Sequence, residues 1–314
     1  MRRVLITGGF GYLGGRIATH FASGADWEVT ISTRRACAKT PGWLRGGRVV
    51  EFDPATSDSL AAACEGIHAI VHLAGANENF SAADPSAALN STTLGTLRLL
   101  RAAEEAGVER FLYFSTVHAY GKLAGVITEN TLPQPVHPYA ITHRAAEDFV
   151  LASSSLLGVV LRLSNAIGAP AHREIDRWTL AGNDLCRQAI VDRRLVLHSS
   201  GLARRDFIPL TDVCRATEHL IGLENPPHRL FNVGGEGPIA ILGLAAQIAS
   251  RCEQLFGYRP EIIRPAPRPG EAFADFRLSS ERLEQTGFSR EGTVAQEIDQ
   301  TLHFCRREFG RTDV

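Results

Sequence analysis

The chain has 314 residues, of which 44% are hydrophobic and 21% charged, with a formal net charge of −1. That near-neutral balance excludes a general electrostatic attraction to nucleic acid or to an anionic membrane surface. The length exceeds what one hydrophobic core usually organises, so the expectation is a large α/β domain with a smaller appended lobe.

Six cysteines (Cys37, Cys64, Cys186, Cys214, Cys252 and Cys305) lie far apart without a CxxC pair. No His/Cys/Asp cluster has metal-ligand spacing, so no metal is expected. Nothing before Val4 resembles a signal peptide, and no apolar run reaches the roughly 18 residues of a membrane helix. These features predict a soluble, cytoplasmic protein with reduced thiols.

Short β-branched runs begin almost at the first residue. They are Val4–Thr7, Val29–Thr33, Val49–Phe52, Ala69–Leu73, Phe111–Ser115, Val159–Leu163 and Leu230–Val233. Their nearly unbroken apolar character is that of strands covered on both faces. Helical patterns separate them: Leu13, Ile17 and Phe21 share one face of Leu13–Ser23, and a second helix runs from about Pro85 to Ala106, with Gly107 as its C-terminal cap. The β-α-β-α order predicts an α/β fold with a Rossmann-like, doubly wound parallel sheet. After Gly168 prolines accumulate and helices follow one another without strands. This predicts a nucleotide-binding domain over 1–167, also recruiting about 206–235, and a smaller C-terminal lobe, mainly substrate-binding, over 168–314.

Thr7-Gly8-Gly9-Phe10-Gly11-Tyr12-Leu13-Gly14 links the first strand to the first helix. Gly8 permits the tight turn, Gly11 lets backbone approach a pyrophosphate, and Gly14 lets the helix pack close to the sheet. The helix N-terminus at Tyr12 and Leu13 then faces the phosphates. The second strand ends in Ser32-Thr33-Arg34-Arg35 rather than in a carboxylate. Two guanidinium groups beside hydroxyls suit a 2′-phosphate, so the cofactor is NADP or NAD with NADP favoured. Asp53, placed to accept from the adenine amino group, and Leu73-Ala74-Gly75 after the fourth strand complete the expected cofactor contacts.

Further on stand Phe114-Ser115-Thr116-Val117-His118-Ala119-Tyr120-Gly121 and Pro138-Tyr139-Ala140-Ile141-Thr142-His143. With the glycine turn, these resemble the extended short-chain dehydrogenase/reductase family of nucleotide-sugar epimerases, dehydratases and reductases. The resemblance continues through Asn90-Ser-Thr-Thr-Leu-Gly95-Thr96, similar to that family's Asn-x-x-Gly-Thr helix, and Leu161-Arg162-Leu163-Ser164-Asn165-Ala166-Ile167-Gly168. It ends with Arg205-Asp206-Phe207, Phe231-Asn232-Val233-Gly234 and Arg268-Pro269-Gly270-Glu271.

The chemistry follows from elementary considerations. Hydride exchange at a carbinol carbon needs a group that gives or takes the hydroxyl proton; a tyrosine can do so if its pKa of about 10 is lowered by a nearby cation. A second hydroxyl holds the substrate oxygen. The resemblance assigns these roles to Tyr139 and Thr116, and places Tyr139 and the residue four positions on, His143, against the cofactor. There the family carries Lys. An imidazole with a pKa of about 6.5 keeps the positioning role but weakens the electrostatic one unless a carboxylate raises it. Arg144, next along, points to another helical face. Three outcomes stand open: a working histidine variant, a slow or repurposed enzyme, and a binding-only protein.

By the same resemblance Asn165, Arg205 and Arg268 contact a nucleoside diphosphate sugar, with Thr116 on the sugar. The family's 4,6-dehydratases carry Asp-Glu after the catalytic Thr; Val117-His118 here argues against elimination of water. His118 and His137 flank the presumed cleft. The expected activity is an NAD(P)-dependent epimerase or reductase acting on a sugar ring carbon. The alternatives are a reductase of a non-nucleotide carbonyl and a low-turnover dinucleotide-binding protein. A homodimer is expected through the Pro85–Ala106 helix and the helix carrying Tyr139, with Leu94, Leu97, Leu100, Phe149 and Val150 as apolar contacts.

Overall fold

The computed structural model describes residues 1–34, 39–53 and 56–310. In chain order it begins with β1 (Arg2–Thr7), α1 (Tyr12–Ser23), β2 (Trp27–Thr33), β3 (Arg48–Glu51), α2 (Ser57–Cys64) and β4 (Ala69–His72). Two short helices follow, α3 (Glu78–Ala83) and α4 (Pro85–Ala88), and a π-helical turn over Leu89–Leu94 leads into α5 (Gly95–Glu105). Then come β5 (Arg110–Thr116), a 3₁₀ turn (Val117–Tyr120), β6 (Gly125–Ile127), α6 (Pro138–Ala152), β7 (Leu157–Leu163), β8 (Asn165–Ile167) and α7 (Ala181–Val191). The chain ends through β9 (Arg194–Val196), β10 (Arg204–Pro209), α8 (Leu210–Gly222), β11 (Leu230–Val233), β12 (Pro238–Ala240), α9 (Ile241–Phe256), β13 (Glu261–Ile263), β14 (Phe276–Leu278), α10 (Glu281–Glu284) and α11 (Val294–Phe309).

All seven apolar runs read from the sequence become strands of one sheet, ordered β11-β7-β5-β4-β1-β2-β3 with every neighbouring pair parallel. Strand order runs outward from β1 in both directions, so the topological switch falls between β1 and β4, where ligands bind in such sheets. There Thr7 and His72 are register partners at the carboxyl ends. One face of the sheet is covered by a core containing Ile17, Phe21, Val213 and Leu220 from α1 and α8, the other by Leu60, Leu99, Ala103 and Val150 from α2, α5 and α6.

The lobe has its own core, where Leu185, Ile248 and Leu302 bring α7, α9 and α11 together. Cys186, Cys252 and Cys305 pack there as free thiols, and burial pushes Cys252 and Cys305 up to about 12, so they stay protonated. The segment 206–235 divides between the two parts. Strand β10 joins β8 and β12 in a three-stranded sheet, whereas α8 packs on α1 and β11 completes the main sheet.

The helix expected over 85–106 is interrupted. Asp84 caps α4 by accepting from Ala87 N, and the π turn inserts before Gly95. Its Thr93 hydroxyl donates to Thr142 O of α6 at 2.8 Å, so the widened turn locks onto the helix that carries Tyr139. Among the described residues no helix is long and apolar enough to cross a membrane.

Candidate active site

A cleft of about 1580 Å³ opens at the switch point between the sheet and the lobe. Its inner wall begins at the glycine turn. Gly8 has φ of +69°, the left-handed region glycine tolerates, and Gly11 N donates to Gly8 O at 2.8 Å. Gly11 caps α1 without any side-chain partner, and no acidic residue stands in the first turn, so the amide end of the helix points into the cleft. A Cβ at Gly14 would stand 2.2 Å from Gly8 O, and one at Gly9 2.5 Å from Ile31 Cβ. The expected roles are thereby redistributed: Gly14 closes on the turn itself, and Gly9 makes the close approach to the sheet. This is a cradle that a pyrophosphate fits. Tyr12 buries its ring in the core and its hydroxyl donates to Gly168 O at 2.9 Å, so the backbone of the helix end is what is left to meet a phosphate.

Where β2 and β3 end, the cleft is lined by Ser32, Thr33, Arg34 and Phe52, a set without a carboxylate. Asp53 lies one residue beyond that wall; its N–H is held by Ser59 Oγ at 2.8 Å, a turn contact. Arg35 lies outside the described residues. Leu73, Ala74 and Gly75 line the cleft as expected, and their backbone is fixed by a directional chain. The Thr96 hydroxyl donates to Thr92 O at 2.6 Å, so His72 Nε2 donates to Thr96 Oγ1 at 3.0 Å. His72 Nδ1 must then accept from Thr7 Oγ1 at 2.6 Å, and Thr7 Oγ1 accepts from Leu73 N and Ala74 N. The arrangement needs a neutral imidazole, and burial with the neighbouring His143 pushes His72 down to about 3. Ala76 N donates to Thr92 Oγ1. Thr92, two residues after Asn90, therefore does the anchoring in the Asn-x-x-Gly-Thr-like segment, while Asn90 is exposed and bound by Arg98.

The reactive end of the cleft is built by β5 and α6. Pro138 opens α6, and His137 caps it by accepting from Tyr139 N, which fixes Tyr139 in the first turn. Tyr139 and Thr116 stand together on the cleft wall, where Thr116 lowers the Tyr139 pKa slightly and its Oγ1 accepts from His118 N at 3.2 Å. The surrounding protein raises the Tyr139 pKa through desolvation first and the charge of Glu78 second, against a lowering by Arg177. His143 meets Tyr139 edge-to-face, with ring centroids 4.5 Å apart, and shares a 2.7 Å hydrogen bond through Nδ1 with the buried Tyr113 hydroxyl. Its ring is 8% exposed, and burial pushes it down to about 4. The nearby carboxylate of Glu78 does not reverse this, so at neutral pH the ring positions but carries no charge. Arg144, as expected, faces elsewhere, toward Glu147 and Asp148.

Beneath Thr116 lies an arrangement that motif reasoning missed. Glu147, fully buried, receives the guanidinium of Arg162 bidentately (Nε to Oε1 at 2.9 Å, Nη2 to Oε2 at 2.6 Å) and the hydroxyl of Ser115. Arg162 in turn lies 4.6 Å over the Tyr120 ring. The signal was an arginine in the middle of an apolar strand, since a charge buried there demands a partner.

On the wall opposite the glycine turn, Asn165 and Arg205 line the cleft; Asn165 Nδ2 donates to Asp206 O at 3.0 Å and Arg205 is exposed. Arg268 does not line it. It sits in an exposed turn, its N–H donating to Glu271 Oε2 at 2.9 Å, while Glu271 accepts from Ser200 and ties that turn behind the wall residue Ser199. Glu78 and Arg177, unanticipated, line the cleft instead, paired at 3.2 Å between Oε2 and Nη1. Neither lies in a motif, and only the fold brings them together. Val117 is buried, His118 faces the cleft, and no carboxylate follows Thr116. Among the described residues no group of three or more His, Cys, Asp or Glu side chains is placed to hold a metal ion.

Residues 4–234 match the profile of the NAD dependent epimerase/dehydratase family. The chain is 27% identical to a dTDP-glucose 4,6-dehydratase of Streptomyces niveus, over 97% of its own length and 93% of that protein's. It is 33% identical to a UDP-glucose 4-epimerase of Rhizobium leguminosarum bv. trifolii, covering 79% and 82% of the two chains. In fold it is similar to MoeE5, solved in complex with UDP-glucose and NAD, with a TM-score of 0.81 and 24% identity over 98% of this chain and 100% of the other.

Proposed function

From the premise that this chain belongs to the NAD dependent epimerase/dehydratase family, we infer that it epimerises or reduces a ring carbon of a nucleotide sugar, with Tyr139 handling the proton. The observation that carries this reading is that Tyr139 and Thr116 line the same cleft as the glycine cradle. In this reading residues 1–167, with parts of 206–235, bind the dinucleotide and residues 168–314 receive the substrate.

The residues present fit a nicotinamide dinucleotide. The amide end of α1 at Gly11, Tyr12 and Leu13, with Gly8, holds the pyrophosphate; Leu73, Ala74 and Gly75 flank it; Thr33 and Arg34 meet the adenosine ribose. When bound, that cofactor supplies or accepts the hydride. Tyr139 gives a proton to the substrate oxygen, or takes one from it, at its phenol oxygen. Thr116 holds that oxygen in line, and His143 fixes the edge of the Tyr139 ring. Asn165 and Arg205 bind the diphosphate. Water elimination is not part of this reading, because Val117 and His118 supply no acid–base pair after Thr116.

Arg34, and the lack of a carboxylate among the described residues lining that end, favour NADP. A tighter Kd for NADPH than for NADH, reversed in Arg34→Glu, checks this. Two substrates separate the reactions: with UDP-glucose or dTDP-glucose an epimerase inverts a ring carbon with no net change in nicotinamide absorbance, whereas a reductase leaves these untouched and consumes NADPH when given a 4-keto-sugar nucleotide. Tyr139→Phe should lower kcat by about 10²–10⁴-fold with binding preserved. Turnover surviving that change would overturn the assignment.

A homodimer is also inferred. Leu89 and Leu94 on the π turn and Ile141 and Phe149 on α6 are exposed apolar side chains on elements packed side by side. Leu100 and Val150 are withdrawn as contacts, since both are buried in the monomer's own core, and Leu97 is half-buried. Sedimentation at micromolar concentration tests the assembly.

A further inference from the structure

Tyr113 stands in the middle of β5, register partner of His72 on one side and of Val160 on the other. Its side chain is 1% exposed, so its hydroxyl has to find a partner inside the protein. The ring lies between two imidazoles, with centroids 5.7 Å from His72 and 5.8 Å from His143. Both nitrogens of His72 are already engaged, by Thr7 and by Thr96. The Tyr113 hydroxyl meets His143 Nδ1 instead, at 2.7 Å. That separation is typical of an O–H donor and short for an N–H donor, so the phenol gives the proton and Nδ1 accepts it.

Burial keeps the His143 ring neutral, with one N–H and one lone pair. With the lone pair at Nδ1 taken by Tyr113, the N–H falls at Nε2. The ring lines the cleft, and a Cβ built on Gly75 would stand 3.8 Å from His143 Cε1, which sets the ring against the dinucleotide wall. Tyr139 meets it edge-to-face at 4.5 Å. The lysine that the family carries at this position offers only donors, whatever surrounds it. An imidazole offers a donor or an acceptor, and its neighbour has to choose which.

We propose that Tyr113 is the positioning residue that makes this choice, fixing His143 as the Nε2–H tautomer so that it presents a donor to a ribose hydroxyl of the dinucleotide. This rests on the reading of the cleft as a dinucleotide site. Tyr113 acts only through the ring. Together the two residues restore the donor of a lysine without its charge.

The first arm of the test needs no ligand. Long-range proton–nitrogen NMR spectra of histidine-labelled protein at neutral pH tell a protonated ring nitrogen from an unprotonated one, and His143→Gln identifies the signals. The wild type should show a protonated Nε2, and Tyr113→Phe should move much of the population to the Nδ1–H form. An Nδ1–H wild type overturns the proposal, even where Tyr113→Phe fails to fold. A Tyr113→Phe spectrum identical to that of the wild type does so too.

The second arm measures Kd for NADH and NADPH. Tyr113→Phe should weaken the dinucleotide that the wild type binds by about five- to tenfold. In a His143→Lys background, where the donor no longer depends on a tautomer, the same change should cost less than about twofold. A phenol that merely packs the core would weaken both backgrounds alike, and equal losses overturn the proposal. The expected tautomer shift with an unchanged Kd overturns the donor role. A wild type with the expected tautomer that binds neither dinucleotide counts against the dinucleotide reading and leaves the control of the ring by Tyr113 established.

Discussion

The two walls of the cleft are built on different principles. The dinucleotide wall consists of backbone: glycine amides, the open end of α1, and the 73–76 segment pinned by Thr7, His72, Thr96 and Thr92. The facing wall consists of side chains, among them Asn165, Arg177 and Arg205, that reach in from loops and short strands. Under the first lies a buried polar framework with nearly every group partnered; the second is half open to water and ion-paired. Buried charge pairs are costly to break and exposed ones contribute little, so the two walls should respond differently to substitution. The first should fail in stability, the second in kinetics.

The largest effect should come from Glu147→Ala, which strands the Arg162 guanidinium in a site where its Nη1 already lacks a partner. A loss of about 3–5 kcal/mol is expected, read as a shift in the denaturant midpoint; a change under 1 kcal/mol would mean that water reaches the pair and the framework is not closed. Next is acid sensitivity. His72 and His143 are held neutral, down to about 3 and about 4, whereas an unfolded histidine protonates near 6.5. Their contribution to stability is present above pH 6.5 and is lost as the pH falls toward those values, at about 1.4 kcal/mol per pH unit for each ring. His143→Asn should flatten that slope measurably, and an unchanged slope would show that the ring is not held neutral by its burial.

Smaller in stability but larger in kinetics is Arg205→Ala, expected to raise KM for a nucleotide sugar about tenfold while leaving Tm within a degree or two. Smallest is Arg268→Ala. Outside the cleft, it should change KM less than about twofold, within the usual range of surface substitutions. Equal effects of the two arginine variants would erase the distinction between wall and surroundings.

The dinucleotide wall was legible because its determinants are local. A strand, a Gly8–Gly11–Gly14 turn and a helix are contiguous, and each glycine answers a steric demand set by its neighbours. The α6 pair of Tyr139 and His143 was legible for the same reason, one helical turn separating them. Arg268 stands outside the cleft wall, because its motif fixes only a turn with Glu271 and not where that turn docks.

The amino-acid sequence alone determined the seven strands of a doubly wound parallel sheet, the glycine turn after the first of them and the helix that carries Tyr139, since periodicity and short-range sterics act between neighbours in the chain. Only the tertiary structure decided the charge state around that tyrosine. Glu78 and Arg177 are 99 residues apart and meet across the cleft, and whether His143 is charged depends on how much water the packed walls exclude. Electrostatic fields and desolvation are properties of the assembled volume, and no spacing along the chain encodes them.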